Sequence, residues 1–113
     1  MVEINILETM LQSGQDNALL RFTIGQAFMR HNKYEQAISH FAIAVELDPN
    51  YTAAWKNYGR ALEKAGELNQ AIKAYTFGLK VAEKNGDRQA LKEMRVFMKR
   101  IKTTLDNPDN RNK

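Results

Sequence analysis

Cysteine is absent from the 113 residues. Disulfide frameworks, thiolate metal sites, thiol nucleophiles and thiol redox sensing are therefore excluded. Long apolar runs are missing too. The longest, Phe41-Ala42-Ile43-Ala44-Val45, falls far short of the ~20 apolar residues a spanning helix needs, so no membrane role is expected. The N-terminus has no basic stretch ahead of an apolar core, so no secretion signal is read there and the expected compartment is the cytoplasm. Phosphate-cradling glycine loops of the GxGxxG or GxxxxGK[ST] type do not occur, and neither Ser13 nor Ser39 lies in a GxSxG context. His31 and His40 are nine positions apart with no third ligand at a metal-binding spacing. No catalytic constellation, metal site or cofactor site emerges, and the chain reads as a non-enzyme.

Charge is present but unevenly placed. Residues 1–50 hold three basic and six acidic side chains, whereas residues 51–113 hold fourteen basic and seven acidic. Arg88, Lys92, Arg95, Lys99, Arg100 and Lys102 crowd one stretch against Glu93 alone. A solvated helix face accounts for most such runs, and an acidic partner surface is the alternative.

Apolar spacing of three and four residues dominates from end to end, which predicts helices and no strands. The expected helices are a short one near 3–12, then about 17–30, 34–47, 51–64, 68–84 and 87–105. Asp16 or Asn17 can cap the second and Asp87 the last, because a side-chain oxygen there accepts from free backbone N–H groups. Pro49 breaks the chain at one turn. The tail 106–113 has nothing apolar to bury and is expected to be disordered.

An internal repeat organises the middle. At an offset of 34 residues, Gly25 falls on Gly59, Phe28 on Leu62, Tyr34 on Leu68, Ala37-Ile38 on Ala71-Ile72, Phe41 on Tyr75 and Ala44-Val45 on Gly78-Leu79. Small matches small and large matches large. A 34-residue period with two helices per unit is the mark of a helical solenoid. The small positions let helices approach, and the large ones fill the volume around them. Trp55 reads as a core wedge rather than a ligand platform.

On these residues the chain resembles the tetratricopeptide repeat (TPR) family, and specifically small two-repeat proteins of bacterial type. The second unit supplies Trp55, Tyr58, Gly59, Leu62, Gly66, Leu68, Ala71, Tyr75 and Gly78. The first supplies Ile24, Gly25, Phe28, Tyr34, Ala37, Phe41, Ala44 and Pro49, with Arg21 in the tryptophan place and Asn32 in the turn-glycine place. The resemblance implies an all-α, right-handed TPR solenoid in one domain over 1–105. Repeat one would span 18–51, repeat two 52–85 and a C-terminal capping helix 87–105, with a short N-terminal helix in front. In the capping helix Leu91, Met94, Met98, Ile101 and Leu105 form one apolar stripe, with Phe97 off its centre. At the other end Ile4, Leu7 and Leu11 form a shorter stripe, which leaves open whether that helix caps the array or lies in its groove.

The resemblance also implies a concave groove lined by the first helix of each unit. Opposite the packing face, the candidate peptide-binding residues are Phe22, Gln26 and Met29, with Arg30, in repeat one and Lys56, Asn57, Arg60 and Lys64, with Glu63, in repeat two. One TPR subfamily holds chaperone C-termini in a lysine–asparagine–arginine clamp. Asn57 matches its asparagine, but Phe22 and Gln26 stand in its other places, and simple register puts the third helix's positions at Asp87 and Leu91. Chaperone-tail binding is not expected. The leading expectation is a protein-interaction adaptor or scaffold that binds a peptide or helix of another protein. The alternatives are self-association, such as a homodimer, through Phe97 and Met98, and binding of an acidic partner or nucleic acid through the basic helix. Nucleic acid ranks last because no known nucleic-acid motif supports it.

Overall fold

The computed structural model describes residues 1–107. Among them are six α-helices and no strand: α1 Val2–Gln12, α2 Ala18–Arg30, α3 Tyr34–Leu47, α4 Thr52–Lys64, α5 Leu68–Asn85 and α6 Arg88–Asp106. Their ends follow from local chemistry. Asn17 accepts a hydrogen bond from the Leu20 N–H at the start of α2, and Asp87 accepts one from the Ala90 N–H at the start of α6. Asp16, the other candidate cap, pairs with Arg21 instead. The chain turns between α2 and α3 at Asn32, whose φ is +58°, and between α4 and α5 at Gly66, whose φ is +82°. Asparagine tolerates this left-handed conformation better than most residues, so the two repeats make the same turn with different side chains. The tail expected to be disordered begins inside α6 at Asp106, and 108–113 lie outside the described residues.

Consecutive helices pack as antiparallel neighbours from α2 to α6, which makes α2, α4 and α6 roughly parallel. These three also touch one another in order, whereas α3 and α5 do not meet. Two layers whose inner helices touch and whose outer helices splay must curve. The face made by α2, α4 and α6 is the concave one. The resulting all-α helical repeat measures 47 × 35 × 19 Å.

Close approach within each repeat depends on a missing Cβ. A methyl group added at Gly25 would lie 2.5–2.9 Å from the ring of Phe41, and one at Gly59 would be closer still to the ring of Tyr75. Both rings are completely buried. Glycine inside a helix costs about 1 kcal/mol relative to alanine, and the aromatic packing against the bare backbone offsets that cost.

The N-terminal helix caps the array. Ile4 is buried and Leu7 and Leu11 are half-buried against the core. α1 lies against α2 and touches neither α4 nor α6, so it leaves the concave face open. Glu3 ties its start to the end of α2, 3.0 Å from Arg30 and 3.2 Å from His31.

His40 on α3 makes stability pH-dependent. Its ring stacks on Phe28 at 5.6 Å, and Nδ1 lies 3.3 Å from the Arg21 guanidinium. Burial, followed by the charge of Arg21, pushes its pKa below the ordinary 6.5, against weaker opposing effects of Glu8 and Asp16. The unfolded chain therefore takes up a proton before the folded one, and stability falls as pH drops through about 6.5 towards the folded-state value. Thermal melts between pH 7.5 and 5.5 should show this loss in the wild type, and His40→Gln should flatten it.

Candidate functional site

The concave face is built from one side of α2, α4 and α6. Phe22 does not line it as expected. Its side chain is only 9% exposed, with its ring 5.9 Å from Phe41 and 4.9 Å from Tyr51. The reason is angular. Phe22 and Met29 lie on the edge of α2 that turns toward α4, and Tyr51, just before α4, closes over Phe22. Met29 is half-buried against the same core, and Gln26 is half-buried beside it. Arg30 is engaged by Glu3.

On α4, Lys56 lies 3.4 Å from Glu93 of α6. Asn57 donates to the Ala53 carbonyl one turn back at 2.8 Å, which leaves its side-chain oxygen without a hydrogen-bond partner among the described residues. Arg60 lays its guanidinium over the ring of Phe97, 4.6 Å from the centroid. Its Nε is buried and has no hydrogen-bond partner among the described residues. Lys64 is exposed and has no ion pair among them.

Glu63 behaves differently from its sequence neighbours. It accepts hydrogen bonds from the Tyr75 hydroxyl at 3.0 Å and from the Arg100 guanidinium at 2.9 Å, so it joins α4, α5 and α6. Burial, reinforced by the adjacent Glu63 carboxylate, drives the Tyr75 hydroxyl pKa well above 10. Phe97 sits between these groups. Tyr75 is 5.7 Å from its ring, and Arg100 lies over it at 5.1 Å. No spacing signal points to this cluster, because its members are contributed by three helices.

Glu3, Glu63 and Glu93 are thus each paired with a cation. Arg60 and Lys64 are left uncompensated among the described residues. The cation–π contact with Phe97 restricts the Arg60 guanidinium.

A second feature lies on α1. α1 has two apolar stripes where the sequence pattern suggested one. Ile4, Leu7 and Leu11 turn inward, while Val2, Ile6 and Met10, four residues apart, face solvent. Between α1 and α2 lies a cleft of about 240 Å³ bordered by Leu7, Met10, Leu19, Leu20 and Thr23. Leu19 is 64% exposed at its rim.

The apolar edge expected to support self-association is already used. Phe97 is half-buried in the Tyr75 cluster and Met98 is buried against α5, because the α6 stripe is the face that covers repeat two. Arg88, Lys92, Arg95, Lys99 and Lys102 are exposed, while Arg100 is drawn back to Glu63. Trp55 is a half-buried wedge. Its Nε1–H donates to the Pro49 carbonyl at 2.8 Å and its ring stacks on Phe77 at 5.4 Å. Among the described residues no three His, Asp or Glu side chains gather as a metal site, and no helix is long and apolar enough to cross a membrane.

Comparison with known proteins places this architecture. The tetratricopeptide repeat family model matches residues 22–76. A TPR repeat-containing protein of Pseudomonas aeruginosa is 45% identical over 95 residues, covering 84% of this chain and 90% of that one. A Bordetella parapertussis protein solved in solution is 39% identical with a TM-score of 0.77, covering 88% of this chain and 87% of that one. The second TPR domain of human RPAP3, solved in complex with an HSP70 peptide, is 28% identical with a TM-score of 0.73, covering 88% of this chain and 78% of that one. With its 34-residue period, its paired helices and these relatives, the chain belongs to the tetratricopeptide repeat family.

Proposed function

We propose that this protein is a non-catalytic adaptor of the cytoplasm that binds a peptide segment of another protein on its concave face, between Gln26 and Met29 on one side and Lys56, Asn57, Arg60 and Lys64 on the other. One observation carries the reading. Arg60 is held over Phe97 and, like Lys64 one turn on, has no ion pair among the described residues, whereas Lys56 on the same helix is paired with Glu93. Its guanidinium has no carboxylate within ion-pair distance among the described residues, so its charge is available to a ligand carboxylate. The human RPAP3 domain, similar in fold and sequence and solved in complex with an HSP70 peptide, supports a peptide as the ligand.

A pull-down from nuclease-treated native lysate tests it, with wild type beside a Gln26→Trp/Asn57→Trp double variant that fills the groove, and captured proteins identified by mass spectrometry. Melting curves first establish that the variant is folded. The expected result is one or more proteins retained by wild type and lost by the variant. Equal capture by both would refute the concave site and move the search to the exposed basic face of α6.

A further inference from the structure

We infer that the outer edge of α5 and α6 is a docking site for a helix of another protein, one that carries carboxylates at every third or fourth position beside an apolar stripe. This edge is separate from the concave face, and the two sites stand independently.

The shape of the site comes from the repeat. α6 begins 36 residues after α4. At that offset Arg95 falls on Gly59 and Met98 on Leu62, which in turn match Gly25 and Phe28. In both repeats this face of the first helix receives the second. Gly25 lies against the ring of Phe41 on α3, and Gly59 against the ring of Tyr75 on α5. On α6 the same face carries no helix among the described residues, since α6 touches only α5 and α4. A groove of about 390 Å³ runs along it, lined by Leu79 and Met98 and bordered by Arg95, Lys99 and Lys102. The occupant cannot pack as α3 and α5 do, because arginine stands in place of the glycine that admits an aromatic ring. Any helix laid here takes water from Arg95, so it has to return a carboxylate.

The charge of the site comes from one row. Arg88, Lys92, Arg95, Lys99 and Lys102 follow one another at intervals of four and three. All five are exposed, and none has an ion pair among the described residues. Residues so spaced share one side of a helix. Two carboxylates stand near the row, Asp106 at the groove and Glu83 one turn beyond Leu79, while Glu93 is turned to Lys56. The row is therefore complementary to an acidic partner. A second copy of this chain fits it poorly. Its acidic helices, α1 and α3, bring two carboxylates each, and Glu3 is already paired with Arg30.

Spacing decides between a helix and other polyanions. From Arg88 to Lys102 the row is about 21 Å long at the helical rise, or about 5 Å between neighbours. Carboxylates three and four residues apart on a helix have the same spacing, so every pair can form in register. Alternate residues of an extended chain are about 6.6 Å apart and fall a full interval out of step over the row. A strand of duplex DNA turns more than half-way round its axis in the same length.

Fluorescence anisotropy with fluorescein-labelled synthetic peptides long enough to span the row tests the inference. The probe has Glu at intervals of four and three beside a Leu stripe. Its controls are a scrambled peptide of the same composition and the same sequence with a central proline, and a short DNA duplex is the competing polyanion. The probe should bind at least tenfold more tightly than either control or the duplex, and more weakly as salt rises. Its addition should shift the amide NMR signals of Leu79, Met98 and Lys99 and not those of Gln26 and Asn57. Lys99→Glu/Lys102→Glu, at exposed positions where folding is not at stake, should weaken binding at least tenfold. Gln26→Trp/Asn57→Trp should leave it unchanged, so failure here is distinguishable from failure of the concave site. No binding of the probe, equal binding of the scrambled and proline peptides, tighter binding of the duplex, or shifts confined to the concave face would each overturn the helix site. So would sedimentation showing self-association that Lys99→Glu/Lys102→Glu abolishes, because a second copy would then be the occupant.

Discussion

Phe41→Ala is expected to lower the free energy of unfolding by about 3–5 kcal/mol, the usual cost of removing a buried aromatic ring. Phe41 is completely buried, and its ring occupies the space a side chain at Gly25 would need. The same contact makes the effect of Gly25→Ala depend on background. In the wild type the new methyl group meets a ring that cannot move aside. Overpacking at about 1–3 kcal/mol outweighs the ~1 kcal/mol gained in helix propensity, and the protein is destabilised. In Phe41→Ala the ring is gone and only the propensity gain remains. Gly25→Ala should then stabilise by about 1 kcal/mol. Urea denaturation of the four proteins measures the coupling. Additive changes would show that the ring is not what keeps residue 25 small. Gly59 and Tyr75 repeat the arrangement in the second unit and should behave alike.

Glu63→Ala should cost about 2–3 kcal/mol, because it strips a buried tyrosine hydroxyl of its acceptor and removes a charge-assisted contact to α6. The Arg100 end contributes the smaller share, since that side chain is 50% exposed and regains water. Glu63→Gln keeps an acceptor for Tyr75 and should cost about 1 kcal/mol or less, and Tyr75→Phe about 1 kcal/mol. If Glu63→Ala were as mild as Glu63→Gln, the Tyr75 hydrogen bond would contribute nothing. The network also sets an alkaline limit. The unfolded chain releases the Tyr75 proton near pH 10, whereas the folded chain holds it to higher pH. Stability contributed by this group is therefore intact below about pH 10 and lost above it. Denaturation midpoints between pH 9 and 11 should fall in the wild type and fall less in Tyr75→Phe.

The helices and their pairing are legible in the sequence to within a residue or two, because the signals are local. Asn17 and Asp87 cap the helices they precede, and small residues recur where helices must touch. The register is legible only up to α5. That helix has 18 residues where α3 has 14, and α6 begins 36 residues after α4 instead of 34. Ala54 and Ala90, both buried, are equivalent at the longer offset. Asp87, which simple register put on the third lining helix, is therefore the residue that caps it.

The candidate site is less legible. Gln26, Met29, Lys56, Asn57, Arg60 and Lys64 follow from helical geometry, but Phe22 belongs to the core, because Tyr51 covers it. The outward apolar stripe of α1 is not legible in the sequence, because the stripe facing α2 already accounts for the amphipathic pattern.

What the sequence by itself determined is the repeat: six helices, their order, and the alternation of small and large side chains that packs each pair. Those properties depend on residues a few positions apart on one helix or on its direct successor. Only the tertiary structure decided which cations are compensated, that Arg60 rests on Phe97 with its Nε unpartnered, and that α1 leaves the concave face open. Glu63 meets Arg100 across 37 positions, and Lys56 meets Glu93 across the same span. Such pairings depend on the rotation of each helix about its axis and on how parallel helices line up, and no periodicity along one chain encodes either.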